Sequence, residues 1–207
     1  MKFIFSLILA CLFISLQLKA QDTIYYANGE VKGIGSHSGQ LKTGMWKFFY
    51  PDGTRNAILN YDKGQMQGSQ LYYDFEGHLI AQENYELGYM EDSAYYFHPN
   101  GQLARKGIYI GSLYEGLWTF YFDNGILKQE GNYEAGRPQG LWLSYYENGR
   151  VQEEGFYQNG LKSREWRFFD EEGNLTYEGS YKNDSEIGQW YFYSKKGKKK
   201  KWKVFKE

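Results

Sequence analysis

The sequence is poor in cysteine, proline and histidine, and its one long apolar run is confined to the start of the chain. Its 207 residues include one cysteine, three prolines and three histidines. The cysteine, Cys11, lies in the apolar N-terminal segment, so residues 21–207 can form no disulfide and can hold no cysteine-based metal or nucleophile site. The mean hydropathy of −0.70 indicates that apolar residues elsewhere stand among polar ones.

The histidines and carboxylates do not form a pattern typical of catalysis. His37, His78 and His98 lack a metal-ligand spacing such as His-x-x-x-His. Adjacent carboxylates such as Glu153 and Glu154 would point to opposite faces of a strand, so they cannot flank one bond as in glycosidases. No phosphate-binding glycine loop or nucleophile elbow occurs. We therefore predict no catalytic residue, no cofactor, no metal and no enzymatic activity.

Residues 1–20 differ in character from the rest of the chain. A lysine at position 2 precedes an apolar stretch from Phe3 to Leu16, and a small residue, Ala20, follows. This order is typical of a secretory signal peptide, here cleaved after Ala20. The alternative, an uncleaved membrane anchor, is less favoured because a span needs roughly 20 apolar residues. We expect an exported protein, located in the periplasm or outside the cell.

The charges are distributed unevenly along the chain. Residues 21–194 contain 14 basic and 24 acidic side chains, a net charge of −10, whereas residues 195–207 contain eight lysines and one glutamate. An acidic body repels phosphate backbones, which argues against nucleic acid as a partner. The Lys-rich tail, residues 198–207, is better explained as a solubilising or fraying cap; the alternative is contact with an anionic envelope surface, with Trp202 and Phe205 as apolar anchors.

Glycine and aromatic residues are abundant, and they recur at a fixed interval. The chain has 25 glycines, and aromatic residues make up 20% of it. Eight glycines that end a turn-like pair such as Asn-Gly are spaced 24 residues apart without interruption. They are Gly29, Gly53, Gly77, Gly101, Gly125, Gly149, Gly173 and Gly197. A constant period of this length indicates a repeat architecture.

Other positions keep the same 24-residue register. An aromatic residue stands four positions before each of these glycines, and a tyrosine usually stands eight positions after it. A tryptophan stands seven positions before in most repeats: Trp46, Trp118, Trp142, Trp166 and Trp190. Such turns, flanked by aromatic and aliphatic segments, predict one β-hairpin per repeat. Because a lone hairpin is marginal in water, we expect the hairpins to stack into one continuous sheet.

The predicted fold is all-β: an elongated antiparallel sheet of about seven 24-residue hairpin repeats over residues 21–197, with no helix beyond the signal peptide. The units GLWTFYFDNGILKQEGNY and GLWLSYYENGRVQEEGFY resemble the MORN repeat, in the variant form found in bacterial YwqK-type antitoxins. That resemblance covers residues 24–197. It implies a binding scaffold for a partner protein, antitoxin-like or immunity-like, and no catalytic residues.

Positions where the pattern fails are better candidates for a site than positions where it holds, since packing residues repeat. Gln70 and Ala94 replace tryptophan, which predicts an open notch in the aromatic row, although ordinary drift would explain the same changes. The candidate binding residues at this break and at a second irregularity are Gln70, Tyr72, Glu83, Tyr89, Asp92, Ala94, Tyr95, Tyr96 and Arg164.

The sequence therefore favours a non-enzymatic exported scaffold that binds a partner protein of unknown identity. The alternative is a module that binds glycans or the envelope surface, in which exposed tryptophan and tyrosine rings stack on sugars.

Overall fold

The computed structural model describes residues 21–206, which form one antiparallel β-sheet with no helix in that range. The predicted signal peptide, residues 1–20, lies outside the described residues. The strands, in chain order, are β1 (Asp22–Tyr25), β2 (Val31–Ser38), β3 (Leu41–Phe49), β4 (Arg55–Asp62), β5 (Gln65–Met66), β6 (Gly68–Tyr73), β7 (Leu79–Glu86), β8 (Tyr89–Met90), β9 (Asp92–Phe97), β10 (Leu103–Ile110), β11 (Leu113–Tyr121), β12 (Leu127–Glu134), β13 (Arg137–Tyr145), β14 (Val151–Gln158), β15 (Leu161–Phe169), β16 (Leu175–Lys182), β17 (Ser185–Tyr193) and β18 (Lys199–Phe205).

The sheet is an open meander. Each strand pairs with the strand that follows it in the chain, with two exceptions. β5 and β6 are consecutive pieces of one interrupted strand that pairs with β4, and β8 and β9 are the equivalent pieces that pair with β7. Among the described residues, β1 pairs only with β2, and β18 pairs only with β17. The predicted all-β sheet of stacked hairpins is therefore confirmed, and β1 and β18 are the edge strands of the part formed by residues 21–206.

Two kinds of turn alternate along the sheet. At the turns with 24-residue spacing, Gly125 is typical: its φ is +82°, and its N–H donates to the Phe122 carbonyl over 3.0 Å. Asn124 does not share the positive φ; instead its Oδ1 accepts a hydrogen bond from the Ile126 N–H over 3.0 Å. The other turns have two residues, as at Ala135-Gly136, where both φ angles are positive. These are the tight turns that match strand twist.

The two faces of the sheet differ in composition. One face, here called the tryptophan face, carries a row in which tryptophan and glycine alternate from strand to strand, as in Trp118↔Gly131↔Trp142↔Gly155. The five tryptophans of this row are all buried. The other side is called the opposite face.

The tryptophans are buried because each ring lies flat on the backbone of a glycine in the preceding strand. A Cβ added at Gly155 would be 2.1 Å from the Trp166 ring, and the same close approach recurs for the other four tryptophans. Tyrosines stand edge-on between the rings: the Tyr157 centroid is 5.7 Å from that of Trp142 and 5.2 Å from that of Trp166. Edge-to-face pairs at these distances are favourable. This face is the core of the sheet.

Candidate functional site

The row of the tryptophan face changes at the predicted break, but no open notch is formed there. Gln70 and Ala94, which replace tryptophan, are 0% and 1% exposed. The glycines expected beneath the missing rings are replaced in the same two repeats, by Leu59 and by Glu83. Larger residues therefore occupy the space that the rings leave. The expectation of an open notch was wrong, because each repeat that lacks the tryptophan also has a larger residue in place of the glycine that would lie beneath it.

Gln70 reproduces the hydrogen bond of the tryptophan that it replaces. Four tryptophans donate their indole N–H to the carbonyl ten residues earlier, as Trp46 does to Ser36 over 3.0 Å. Gln70 Nε2 likewise donates to the carbonyl ten residues earlier, that of Asn60, over 3.1 Å. Its Oε1 also accepts from the Asn60 N–H over 2.7 Å. A buried polar side chain is tolerated here because all its groups have partners.

Glu83 is the centre of a hydrogen-bond network on the tryptophan face. Its carboxylate accepts from the Tyr85 hydroxyl over 3.0 Å and from the Tyr96 hydroxyl over 2.8 Å. The Tyr96 and Tyr109 hydroxyls lie 2.9 Å apart, and the Arg105 guanidinium lies 4.0 Å above the Tyr96 ring. The network fills the position that glycine and tryptophan occupy elsewhere.

The tyrosines of this network are held in the neutral form. Burial, together with hydrogen bonds to Tyr109 and Glu83, raises the pKa of Tyr96 far above its ordinary value. Burial raises the pKa of Tyr109 to about 12, and burial with the nearby charge of Glu83 raises that of Tyr72. Neutral phenols that already donate to a carboxylate offer neither a base nor a nucleophile. The arrangement is suited to packing.

The remaining predicted residues lie elsewhere. Tyr95 is on the opposite face, and Asp92 lines the same shallow depression as Tyr95. Tyr89, in β8, is exposed. Arg164 is in β15, far along the chain, and its guanidinium lies 5.3 Å from the centre of the Phe156 ring. The structure therefore divides the candidates between two faces and does not form one site from them.

Asp92 and Arg164 share a strained backbone conformation. Their φ angles are +67° and +60°, at a repeat position where Gly116 and Gly140 adopt φ of +63° and +75°. Residues other than glycine rarely adopt such angles, at a cost of about 1 kcal/mol or more. Both positions therefore keep the backbone conformation of the glycine repeats, although the residue differs.

The opposite face carries apolar side chains over β10–β14, here called the central apolar patch: the exposed Ile108, Leu117 and Leu141 and the half-buried Phe156. The first three are 45%, 54% and 44% exposed. Ile108 and Leu117 line one depression, and Leu141 and Phe156, paired across β13 and β14, line the next. Scattered exposed leucines are ordinary, but neighbouring ones on one face are a feature of binding surfaces.

Charged residues surround this patch. Lys106 stands beside its first depression, and Glu154, Glu165 and Arg167 beside its second. Arg167 Nη1 is 3.1 Å from Glu154 Oε1. An apolar centre with a charged border is the usual anatomy of a protein interface.

Sequence reasoning missed the central apolar patch, although one signal was available. Leu117 and Leu141 each stand one residue before a tryptophan of the row. Strand alternation places neighbours on opposite faces, so an inward tryptophan implies an outward leucine. In a sheet with one covered face, those leucines have to be exposed.

The three histidines have structural partners. His37 Nδ1 is 2.8 Å from Asp22 Oδ2, His78 Nδ1 is 3.3 Å from Asp74 Oδ2, and His98 Nε2 lies 3.0 Å from the Tyr121 carbonyl oxygen. Across residues 21–206, no group of three or more His, Cys, Asp or Glu side chains could hold a metal ion. Within the same range, no helix has the length and apolar character that crossing a membrane requires.

The family model of the MORN repeat variant matches this chain in five segments. They are residues 42–63, 93–110, 114–135, 138–159 and 165–183. The chain belongs to the MORN repeat variant family. MORN repeats are non-catalytic scaffold modules that bind proteins or membranes. The unmatched interval between the first two segments, residues 64–92, contains Gln70 and Glu83, so the departure from the family pattern coincides with the break in the row.

Other comparisons add little about this MORN protein. Among curated proteins, none matches the sequence. A solved structure of an S. aureus TarM mutant in complex with fondaparinux, alpha-GlcNAc-glycerol and UDP is similar at 12% identity and a TM-score of 0.29, over 64% of this chain and 21% of that one. A structure of TcdB2-TccC3 is similar at 13% identity and a TM-score of 0.20, over 84% of this chain and 13% of that one. The chain thus spans a small part of either protein, and scores this low carry no argument.

Proposed function

We propose that this chain is a non-enzymatic exported scaffold that binds a partner protein, in the cell envelope or outside the cell, through the central apolar patch. The observation that carries the proposal is the exposure of Ile108, Leu117 and Leu141 on one face of the sheet, in β10, β11 and β13. An antitoxin-like or immunity-like role is the special case in which the partner is a toxin whose activity falls on binding.

Burial of this patch would favour association. About half of each of the three aliphatic side chains is accessible to water. Removing such apolar surface from water contributes about 25 cal/mol per Å² before the costs of association. Phe156, with the Arg164 guanidinium 5.3 Å from its ring centre, adds the aromatic and arginine pair that is common among interface anchors.

The glycan-binding alternative has less support. Stacking on a sugar requires an accessible ring, and the five tryptophans of the row are buried under their neighbours. Among the candidate rings at the break, Tyr72, Tyr95 and Tyr96 are half-buried and Tyr89 stands alone in β8. A protein partner for the opposite face is therefore the better-supported function.

The test is capture and measured binding with matched variants. A photo-crosslinking amino acid placed at Leu117 in the native host would identify the partner, and the same amino acid at Met45 is the control, because both positions are 54% exposed and share one repeat position. Binding of the purified partner is then measured for Leu117→Ser/Leu141→Ser and for Leu41→Ser/Met45→Ser. The latter removes two similarly exposed aliphatic residues in β3, outside the patch.

We expect the patch variant to weaken binding by about a hundredfold, corresponding to roughly 2.8 kcal/mol, and the β3 variant to change it less than about threefold. Thermal unfolding of both variants shows whether the sheet is intact. Equal affinity of the two variants for the partner would overturn the proposal, as would crosslinks that are as frequent from Met45 as from Leu117.

A further inference from the structure

The last strand, β18, is the most strongly charged element of the sheet. Four of its seven residues are lysines, and residues 195–206 contain eight lysines and no acidic residue. The described chain before them is acidic, with a net charge of −10 over residues 21–194. Within residues 21–206, Lys199 is the one member of this group that is paired with a carboxylate, that of Glu178. Most of the positive charge at this end of the sheet is therefore unneutralised.

The same strand is an edge of the sheet that residues 21–206 form. On one side it pairs with β17, through registers such as Lys203↔Trp190 and Lys200↔Phe192. Within residues 21–206, the only strand with a residue-by-residue register to β18 is β17. An edge strand presents a row of backbone N–H and C=O groups that can pair with another extended chain. A peptide that adds to such an edge gains main-chain hydrogen bonds, and its alternate side chains give specificity.

The lysines of β18 project on both sides of the sheet. Lys200 and Lys203 lie on the tryptophan face, because they pair with Phe192 and Trp190. Lys199 and Lys201 lie on the opposite face, since they pair with Tyr193 and Tyr191. A flat anionic surface could contact only one of these pairs. An added strand lies in the plane of the sheet, and its alternating side chains reach both faces. This geometry favours a strand over a membrane as the occupant.

Exposed apolar side chains accompany these charges. Val204 is 70% exposed, and Trp202, whose ring centre lies 5.2 Å from that of Tyr177, is 50% exposed. A strand added beside β18 would give Val204 and Trp202 cross-strand neighbours on their outer side. Cross-strand pairs that include an aromatic or a β-branched residue stabilise sheets. The edge therefore combines main-chain, apolar and electrostatic features that one extended segment can satisfy.

We propose that the free edge of β18 receives an acidic, extended segment of a partner protein as an added β-strand. Two copies of β18 would bring eight lysines to one seam, and in the symmetric antiparallel register centred on Trp202 the side chains of Lys201 and Lys203 would stand opposite each other, so self-pairing is disfavoured. The same repulsion that blocks self-pairing therefore selects an acidic strand. This edge is separate from the central apolar patch, so the inference does not depend on the function proposed for that patch.

The experiment uses the full chain and a fluorescent nine-residue peptide that alternates glutamate with valine or threonine. Two control peptides replace every glutamate by glutamine, or methylate alternate backbone amides so that charge stays and hydrogen bonding is lost. The protein variant Lys200→Glu/Lys201→Glu reverses one charge on each face of β18. The matched variant Lys63→Glu/Lys182→Glu reverses two exposed lysines elsewhere in the sheet.

We expect fluorescence anisotropy to show binding of the acidic peptide, and about tenfold weaker binding of each control peptide. The β18 variant should also bind about tenfold more weakly, while the matched variant changes affinity less than about twofold. Hydrogen exchange of the β18 amides should slow when the acidic peptide is bound. Circular dichroism checks the fold of each variant. The methylated peptide tests the need for main-chain hydrogen bonds with the unmutated protein, so this result does not depend on whether a variant folds.

Several results would overturn the inference. Equal binding of the methylated peptide would show attraction by charge alone, without an added strand. Binding of phosphatidylserine vesicles through Lys200 and Lys201, with no binding of the peptide, would assign the edge to a membrane. Sedimentation that reveals dimers of the free protein, lost in the β18 variant, would assign it to a second copy of this chain.

Discussion

The repeats from β10 to β18 and the segment from β5 to β9 occupy the same sheet but are held together differently. In the first region, Trp118, Trp142, Trp166 and Trp190 each lie on a glycine of the preceding strand. In the second, the buried amide of Gln70 and the tyrosine-bound carboxylate of Glu83 fill the equivalent positions. One fold position can thus be filled by an apolar ring or by a satisfied polar group.

The difference extends to the backbone. Each of β11, β13, β15 and β17 is a continuous strand of nine residues. In the irregular segment the corresponding strands are split, into β5 with β6 and β8 with β9. β4 has four registered pairs with β5 and β6 together, and β7 has four with β8 and β9, whereas neighbouring strands from β10 to β18 share five or six. Loss of the ring-on-glycine contact therefore accompanies a loss of ladder pairing. We infer that this contact is the main unit of stability in the sheet.

The largest effect is expected from removing one ring of the regular region. Trp166→Ala should lower the free energy of unfolding by about 3–5 kcal/mol, since the ring is buried and no neighbour can fill its volume. Urea denaturation measures the change. Trp202→Ala is the control, because that ring is half exposed and its removal should cost about half as much, roughly 2 kcal/mol.

A smaller effect is expected from adding a methyl group beneath the same ring. Gly155→Ala places a Cβ about 2.1 Å from the Trp166 ring, so the ring has to move, at a cost of about 3 kcal/mol. In a Trp166→Ala background the same change should cost close to nothing. A cost that is equal in both backgrounds would refute the contact as its cause.

The irregular segment can be converted to the regular pattern. Gln70→Trp alone should lower the free energy of unfolding by about 2 kcal/mol, because Leu59 stands at the position where the other repeats have the glycine on which the tryptophan ring lies. The pair Leu59→Gly/Gln70→Trp should recover at least half of that loss in the same urea assay. If the double variant is no more stable than the single one, ring and glycine do not act as a unit.

The smallest effect concerns the two strained positions. Asp92→Gly and Arg164→Gly should each stabilise by about 0.5–1 kcal/mol, because glycine adopts a φ near +60° without steric cost. Gly116→Ala, at the same repeat position, should destabilise by a similar amount. Differential scanning calorimetry of the three variants checks the order, and a lower unfolding temperature for both glycine variants would contradict it.

Much of this architecture follows from spacing alone. The constant 24-residue step of glycines predicts every hairpin, because a tight turn at a fixed interval leaves strands of fixed length between turns. The tryptophans at constant offset predict a row, because the same repeat position in stacked hairpins comes to lie on the same face of the sheet. The turn at Gly125 and the burial of Trp118 confirm that the repeat spacing in the sequence determines which residues form turns and which face the core.

The site was less predictable because it depends on contacts between strands. Gln70 and Ala94 appeared to open a notch when their own repeat position was considered alone. The filling residues stand eleven positions earlier, at Leu59 and Glu83. Their places beside Gln70 and Ala94 follow only from the pairing of β4 with β6 and of β7 with β9. The exposed leucine beside each tryptophan was overlooked for a related reason: which face is covered depends on the whole sheet.

Hydrogen exchange tests the central comparison most directly, because it reports the opening free energy of each strand in one unmodified protein. If ring-on-glycine contacts hold the sheet, amides of β6, β7 and β9 should exchange at least about tenfold faster than those of β12–β16, a difference of roughly 1.4 kcal/mol. Uniform protection from β4 to β16, or slower exchange at β6–β9, would contradict the account.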